Sequence, residues 1–528
     1  MFGLLVVFAL ASCARGAHDP NTLIIAQQHE PRSLNPGLEN GTSSTEWGLL
    51  VFSYLLKFND KGELIGDIAT AVPSLNNGGI SADGRTITYH LRNNVRFSDG
   101  VPLTARDAVF SINAILNPKN NVQSRYGYDR IMRAQAPNST TLVLRLRKPF
   151  APLLTLVEAP QGFPILPEHI LKRFRDFNQS TFSTAPIGSG PYAVVHWRHG
   201  DEVALAANPH YWAGAPTIKS LVIRFVPDSN TAINLMRTGE ADGFFDDQDM
   251  SDLPELTAIP HIRVTRTPVD AVGAIIFNTQ DPLTADSRVR HALAMAIDVN
   301  SLVAKAYLGA LDAKNAGRGL FMWAYDSAIA RDRYDPAGAR RLLDAAGWRS
   351  TPGGVRAKNG RTLDLQLILE AGTPGDSRIA AGIRQYEAAV GANVSLKAYN
   401  VTQFAAPAGQ AGPVYSGKFQ LALYPFVPGD DPDTTDQFSC ARVPPNGYNK
   451  SRICDKAIDA MLLAGRTTYI RVQRKAIYAR LQTRLQAELP LLLLYQLRQV
   501  NAFTTRLHGQ TTSLSGPFWN VGAWSLQP

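Results

Sequence analysis

Cysteine is scarce in this chain: three occur among 528 residues, at 13, 440 and 454. That excludes a disulfide-dense small scaffold, and with neither a CxxC spacing nor a nearby His it leaves no tetrahedral thiolate set for zinc. Charge is thin as well, at 18% Asp, Glu, Lys and Arg. The net charge of +9 comes from dispersed Lys and Arg rather than from a basic run interleaved with aromatics, so the footprint of a nucleic-acid binder is missing. No segment reaches ~18 uninterrupted apolar residues, which excludes a membrane span defined by hydropathy. HExxH, GxSxG, Walker A and GxGxxG are absent, which removes the commonest motifs of metalloproteases, α/β hydrolases, P-loop NTPases and dinucleotide enzymes.

What is present fits a globular protein rich in loops, with 45% hydrophobic residues, 34 Pro and 41 Gly. A single core stops growing at ~250–300 residues, so two or three domains are expected. At the N-terminus, Phe2 to Ala11 is an apolar run too short to span ~30 Å of hydrocarbon. It leads into Leu10-Ala11-Ser12-Cys13, which resembles the bacterial lipobox, although no Lys or Arg precedes it. Cys13 is therefore expected to be the lipidated first residue of the mature protein, with the body outside the cytoplasmic membrane. In an exported protein Cys440 and Cys454, with thirteen residues between them, read as a disulfide. Closing that loop is worth about 3 kcal/mol in the chain-entropy model.

Local patterns are clear along the body. Asn21 onward reads as a strand that breaks at Glu30-Pro31, since Pro31 and Pro36 forbid further ladder pairing. Ile87, Tyr89 and Leu91 alternate as a half-buried strand, Asp99-Gly100 is a turn, and Thr104 caps a helix with Asp107 in its first turn. Gly188, Gly190 and Pro191 mark a tight crossing into the strand Tyr192 to Trp197; with no helix or Lys-Ser/Thr following, this loop is not a phosphate cradle. His196 and His199 lie three apart on that strand and so face opposite ways, which argues against a metal site. Val289, Leu293, Ala296 and Ile297 make an apolar helical face, where an Arg and Asp298 serve to hold two helices together. In YDPAGARRLLDAAGW, Tyr334 to Trp348, Asp335 and Pro336 open a short amphipathic helix that Gly347 ends. Glu370 to Ser377 reads as a loop before a helix carrying Ile379, Ile383 and Tyr386, and Phe419 to Tyr424 as a strand. Gln473 to Leu489 is helical in period, and Leu491 to Phe503 follows as a strand buried on both faces.

The Tyr334–Trp348 segment, the block Asp83 to Ile112, and the helices from Arg288 to Gly309 together resemble the extracellular solute-binding proteins of the oligopeptide and dipeptide type, solute-binding family 5. The resemblance runs from about Asn21 to Trp524 and implies an α/β fold, periplasmic-binding-protein-like type II, with two lobes and an additional domain. It implies a discontinuous domain I of residues 21–58, 183–270 and 501–528, a domain II of 59–182 and a domain III of 271–500. It further implies a monomer that captures a small ligand, peptide first, in the cleft between domains I and III and delivers it to ABC permease subunits, without catalysis or cofactor. The cleft residues it implies are Glu30, Pro31, Arg32, Ser33, Tyr126, Asn278, Glu370, Phe426, Gly429, Asp430 and Asp431. Two departures from the family pattern bear on the ligand. Family peptide binders often carry a Trp and, three positions later, an Asp for the ligand's amine, where this chain has Phe426 and Gly429, with Asp430 and Asp431 adjoining. The Arg that dipeptide binders use for the ligand carboxylate is missing from Glu370 to Ser377. An oligosaccharide, an opine or a nickel chelate therefore stands as the alternative ligand.

Overall fold

The computed structural model describes residues 19–527 apart from positions 20, 39–41, 123, 160–161, 177, 179–180, 248–251, 312, 314–315, 411 and 427–428. Cys13 and the apolar run before it lie outside the described residues. Among the described residues no helix is long and apolar enough to cross a membrane.

Two long strands, Ile262–Phe277 and Leu491–Thr504, pair antiparallel along nearly their whole length, from Ile262 opposite Thr504 to Ile276 opposite Leu491. They form the middle of a ten-stranded sheet. On one side follow Leu421–Phe426, Asp364–Glu370 and Asn393–Tyr399; on the other follow Gly243–Asp247, Thr22–Gln27, Ser220–Phe225, Glu202–Ala207 and Tyr192–Arg198. Each wing contains parallel pairs, Thr22–Gln27 with Ser220–Phe225 and Asp364–Glu370 with Asn393–Tyr399. Parallel neighbours need crossover connections and cover on both faces, which helices supply. Thus Leu365, Leu367, Leu369, Leu421 and Leu423 enter one core while Ile368, Ala422 and Phe426 enter another on the opposite face. That two-residue alternation is the pleat expressed as burial. This is the two-lobe type II binding-protein architecture implied by the resemblance. The expected boundaries at 270/271 and 500/501 both fall inside the two long strands.

Residues 56–159 form a small unit whose core is continuous with that of the Thr22–Gln27 wing. Thr86–His90, Thr141–Leu146 and Ile131–Asn138 make one three-stranded sheet, covered by the helix Ala105–Leu116. Thr104 caps that helix as a full capping box: its own N–H donates to the Asp107 carboxylate at 2.8 Å while its hydroxyl accepts from the first turn. The crossing at Gly188 and Gly190 presses on the backbone of Val51, where a Cβ on Gly188 would lie 1.9 Å from the Val51 carbonyl oxygen. No other residue fits there.

The helix Pro336–Ala345 is capped by Asp335, whose carboxylate accepts from the Gly338 N–H at 2.8 Å, and Gly347 follows at φ +90°. Its neighbours Ser287–Ala296 and Val299–Ala306 are separated by Asp298, which caps the second. The helix that carries Ile379 and Ile383 begins at Pro374, earlier than the Gly-Asp-Ser sequence predicted, because proline is well suited to the first helical position. The predicted strand Phe419–Tyr424 sits at Leu421–Phe426.

Arg290 is 2% exposed and makes no direct use of its charge at the surface. Its guanidinium donates to the carbonyls of Thr284 at 2.8 Å, Ala285 at 2.7 Å and Glu488 at 2.9 Å, so it caps the end of the helix Arg471–Glu488 from a different helix. The Glu488 carbonyl belongs to the last turn of that helix, whose carbonyls have no partner within it, and those of Thr284 and Ala285 lie in the turn before the helix Ser287–Ala296. Replacing Arg290 with Met is expected to leave them unsatisfied and to lower stability by about 3 kcal/mol, of the order seen when a buried charged group loses its counterpart. The check is the urea midpoint, which should fall with an unchanged m-value.

Candidate functional site

A cavity of about 240 Å³ lies between the small unit and the lobe that carries Leu421–Phe426. One wall holds Tyr126, Tyr128 and Phe163, with Pro36 and Gly37 from the loop after the first strand. The opposite wall is the loop Gly429, Asp430, Asp431 and Asp433. Gly37 is required by contact: a Cβ there would meet the Phe163 ring at 2.4 Å. The cavity thus joins an aromatic, apolar face to an acidic one.

The acidic wall is held in shape by two arginines. Asp431 makes a bidentate pair with Arg474, at 2.6 and 3.0 Å, and the same guanidinium donates to the Gly465 carbonyl at 2.8 Å. Both side chains are buried, and such forked pairs fix direction as well as charge. Asp433 accepts from Arg466 at 2.8 Å and from the Tyr126 hydroxyl at 3.3 Å. Burial first, then the Asp433 charge, pushes the Tyr126 phenol well above its ordinary value, so it remains a donor. Asp430 is 8% exposed in the same wall.

Of the residues implied by the resemblance, Tyr126, Gly429, Asp430 and Asp431 meet at this cavity. The others lie elsewhere. Glu30 ties its loop to the hairpin of Tyr192–Arg198, accepting from Trp197 Nε1 at 2.8 Å, from the Gly200 N–H at 3.0 Å, and lying 3.1 Å from His199 Nδ1. His196 faces Glu202 at 3.2 Å. Pro31 is buried and Arg32 exposed, and the Ser33 hydroxyl accepts from the Asn35 N–H at 3.0 Å. Asn278 is committed to backbone, donating to the Gly417 and Phe419 carbonyls at 3.0 and 3.1 Å. Phe426 points into the core and stacks on Phe438 with centroids 6.0 Å apart. Glu370, raised above the ordinary carboxyl value by burial and then by Asp376, sits at the end of its strand near Tyr424. Asp376 in turn accepts from both Tyr307 and Tyr495 hydroxyls at 2.7 Å, which fixes the turn after Glu370. The sequence reading missed Asp433, Arg466, Tyr128 and Phe163. Asp433 stood in the acidic loop already singled out, whereas no local pattern ties Arg466 to it.

Cys440 and Cys454 are joined, with Cα atoms 4.5 Å apart. The loop they close carries Lys450, whose ammonium lies 3.7 Å from the Tyr424 ring centroid and close to the rings of Tyr415 and Tyr448. Burial pushes this lysine down from 10.5 to about 7.

A two-lobe scaffold with a cavity shared between its units has the architecture of a ligand-binding protein. The family model for bacterial extracellular solute-binding proteins, family 5 Middle, matches residues 63–447. The chain belongs to that family, the solute-binding components of ABC importers, whose members are substrate-binding proteins that work on the periplasmic or extracellular side. Protein XP55 of Streptomyces lividans is 29% identical over 518 residues, covering 95% of this chain and 88% of that protein. Di/tripeptide-binding protein 2 of Pseudomonas aeruginosa is 26% identical, covering 92% of this chain and 91% of that protein. The crystal structure of NikZ from Campylobacter jejuni in complex with Ni(L-His) is similar with a TM-score of 0.77 at 27% identity, covering 96% of this chain and all of that one, 100%.

Two outcomes follow for stability. Asp431→Ala leaves Arg474 buried without its partner and is expected to cost about 3–5 kcal/mol in denaturant unfolding. For Lys450, the unfolded chain binds the extra proton between about 7 and 10.5, so this residue makes stability rise with pH across that window and is indifferent below it. The advantage of Lys450→Met over the wild type should accordingly be smallest at the alkaline end, grow as the pH falls toward 7 and then level off, read from urea midpoints across and below the window.

Proposed function

We propose that this chain captures a short peptide in the cleft between its lobes and delivers it to ABC permease subunits, tethered by a lipid on Cys13 and acting as a monomer. The domains are those implied by the resemblance: 21–58, 183–270 and 501–528 as the first, 59–182 as the second and 271–500 as the third. The observation that carries the reading is the cavity itself, whose aromatic wall and acidic wall come from different units. A ligand touching both walls gains more contacts when the lobes are together than when they are apart, and that difference is what drives closure. The register of the two long strands shifts between Pro268 and Val272. Irregular pairing at that point is the natural place for them to bend.

Size and charge narrow the ligand. At about 240 Å³ the cavity has room for a small ligand. Asp430, next to the Gly429 that replaces the family's amine-binding Asp, is assigned to the ligand's ammonium. Asp431 and Asp433 build the wall through their arginines. No bond is made or broken in this cycle, and no cofactor takes part.

A nickel chelate, opine or oligosaccharide is the second reading. It draws support from the similarity to NikZ, solved with Ni(L-His), and from the lack of an Arg in Glu370–Ser377. Mass spectrometry of ligand released from the natively purified protein, followed by calorimetry with di- and tripeptides, separates the two. Short peptides should be released and rebound, and Asp430→Asn should weaken rebinding at least about tenfold, roughly 1.4 kcal/mol. Release of a chelate or sugar, with no heat from any peptide, would overturn the peptide reading.

A further inference from the structure

Arg466 touches the opposite unit in more ways than its pairing with Asp433 requires. Its guanidinium donates to the Tyr126 hydroxyl and lies 5.4 Å from the Phe150 ring centroid, while its carbonyl accepts from the Ala151 N–H at 2.8 Å. Three residues on, the Tyr469 hydroxyl accepts from the Phe150 N–H at 3.1 Å and donates to the Gly84 carbonyl at 3.1 Å. Every partner just named belongs to residues 59–182, and both Arg466 and Tyr469 belong to the lobe with the acidic loop. The contacts are also dry: the Asp433 side chain is 3% exposed and that of Arg466 13%.

These contacts border the cavity rather than fill it. Neither Arg466 nor Tyr469 lines it, whereas Tyr126 and Asp433, which Arg466 holds together, stand on its two walls. A guanidinium can satisfy a carboxylate and a phenol at once because its donors form a planar fork; an ammonium offers no such fixed geometry. Tyr469 adds two hydrogen bonds to main chain, which are insensitive to the identity of the side chains they meet.

We infer that Arg466 and Tyr469 form a latch between the lobes, with Arg466 as the positioning residue that holds Tyr126 against Asp433, and that this latch sets how long a ligand stays in the cleft. Its control of residence rests on the reading of the cavity as the ligand site; its existence does not. A latch formed after the ligand has entered acts on escape and leaves entry alone. Truncating it therefore separates the two rates, which simple loss of fold would not do.

The test uses the full mature chain. Stopped-flow binding of a fluorophore-tagged tripeptide should show association within twofold of wild type in both Arg466→Gln and Tyr469→Phe. Dissociation should be about tenfold faster in the first and roughly threefold faster in the second, by the 1.4 kcal/mol-per-decade scale. Arg466→Lys should recover only part of the loss. Independently of any ligand, spin labels placed through Met132→Cys and Val472→Cys, at exposed positions on either side of the contacts, report the gap by double electron–electron resonance. Wild type should give a compact population beside the open one through which ligand enters, and each latch variant a diminished compact population. Should Arg466→Gln fail to fold, Tyr469→Phe carries the test, since it removes a single oxygen. Unchanged populations in the variants overturn the latch, whatever the cleft binds. Altered populations with unchanged release overturn its control of residence, while a tripeptide that binds neither wild type nor variants counts against the peptide reading and leaves the spin-label result to decide the latch.

Discussion

The pairing of Ile262–Phe277 with Leu491–Thr504 is the constraint on which the remaining architecture rests. Both strands are long enough to serve both wings of the sheet: at one end they meet Leu421–Phe426, at the other Gly243–Asp247. Two lobes joined by a flexible tether would have no fixed mutual geometry, and a cavity between them would have no fixed shape. Two lobes joined by a hydrogen-bonded ladder have one main freedom, to bend where the ladder is irregular. Everything that approaches the cavity, from Pro36 to Asp433, is placed relative to that shared ladder.

The second organising theme is the treatment of negative charge. Three aspartates within four positions, 430, 431 and 433, would repel one another if crowded and dry. Arg474 and Arg466 take two of them into buried pairs, each reinforced by a carbonyl or a hydroxyl. A buried pair of this kind contributes little net stability, yet it specifies one arrangement because removing either member strands the other. The loop therefore has a defined shape although it follows a strand and contains glycine and proline. Elsewhere Arg290 does comparable service, gathering the carbonyls of Thr284 and Glu488 while lying 3.6 Å from the Glu488 carboxylate.

Much of the fold could be read from the sequence because it depends on short-range rules. Asp335 before Pro336, Thr104 with Asp107, and the alternation of Ile87 and Tyr89 are all decided within a few residues, and the structure has each of them. The membership of the family was legible in the same segments. The site was legible only in part. Alternation places Phe426 on one face of a strand without saying whether that face is core or cleft, and here it is core. Glu30 and Asn278 look like ligand groups because they are polar and lie in loops, yet each is consumed by partners brought in from more than a hundred positions away, Glu30 by an indole donor and Asn278 by a backbone carbonyl acceptor. Arg466 is 340 positions from Tyr126, and no periodicity or spacing encodes such a meeting.

The order of strands also bears on how the polypeptide comes into being. Leu491–Thr504 occupies the fifth place among ten, between strands made long before it. A ribosome or export channel that releases the chain from its N-terminus must deliver everything up to Thr504 before that gap can be filled, so the sheet cannot zip up progressively during emergence. Until the last segment arrives, the edges of Ile262–Phe277 and Gly243–Asp247 stay open to wrong partners. The period of greatest exposure to aggregation thus ends with the arrival of one late β-segment.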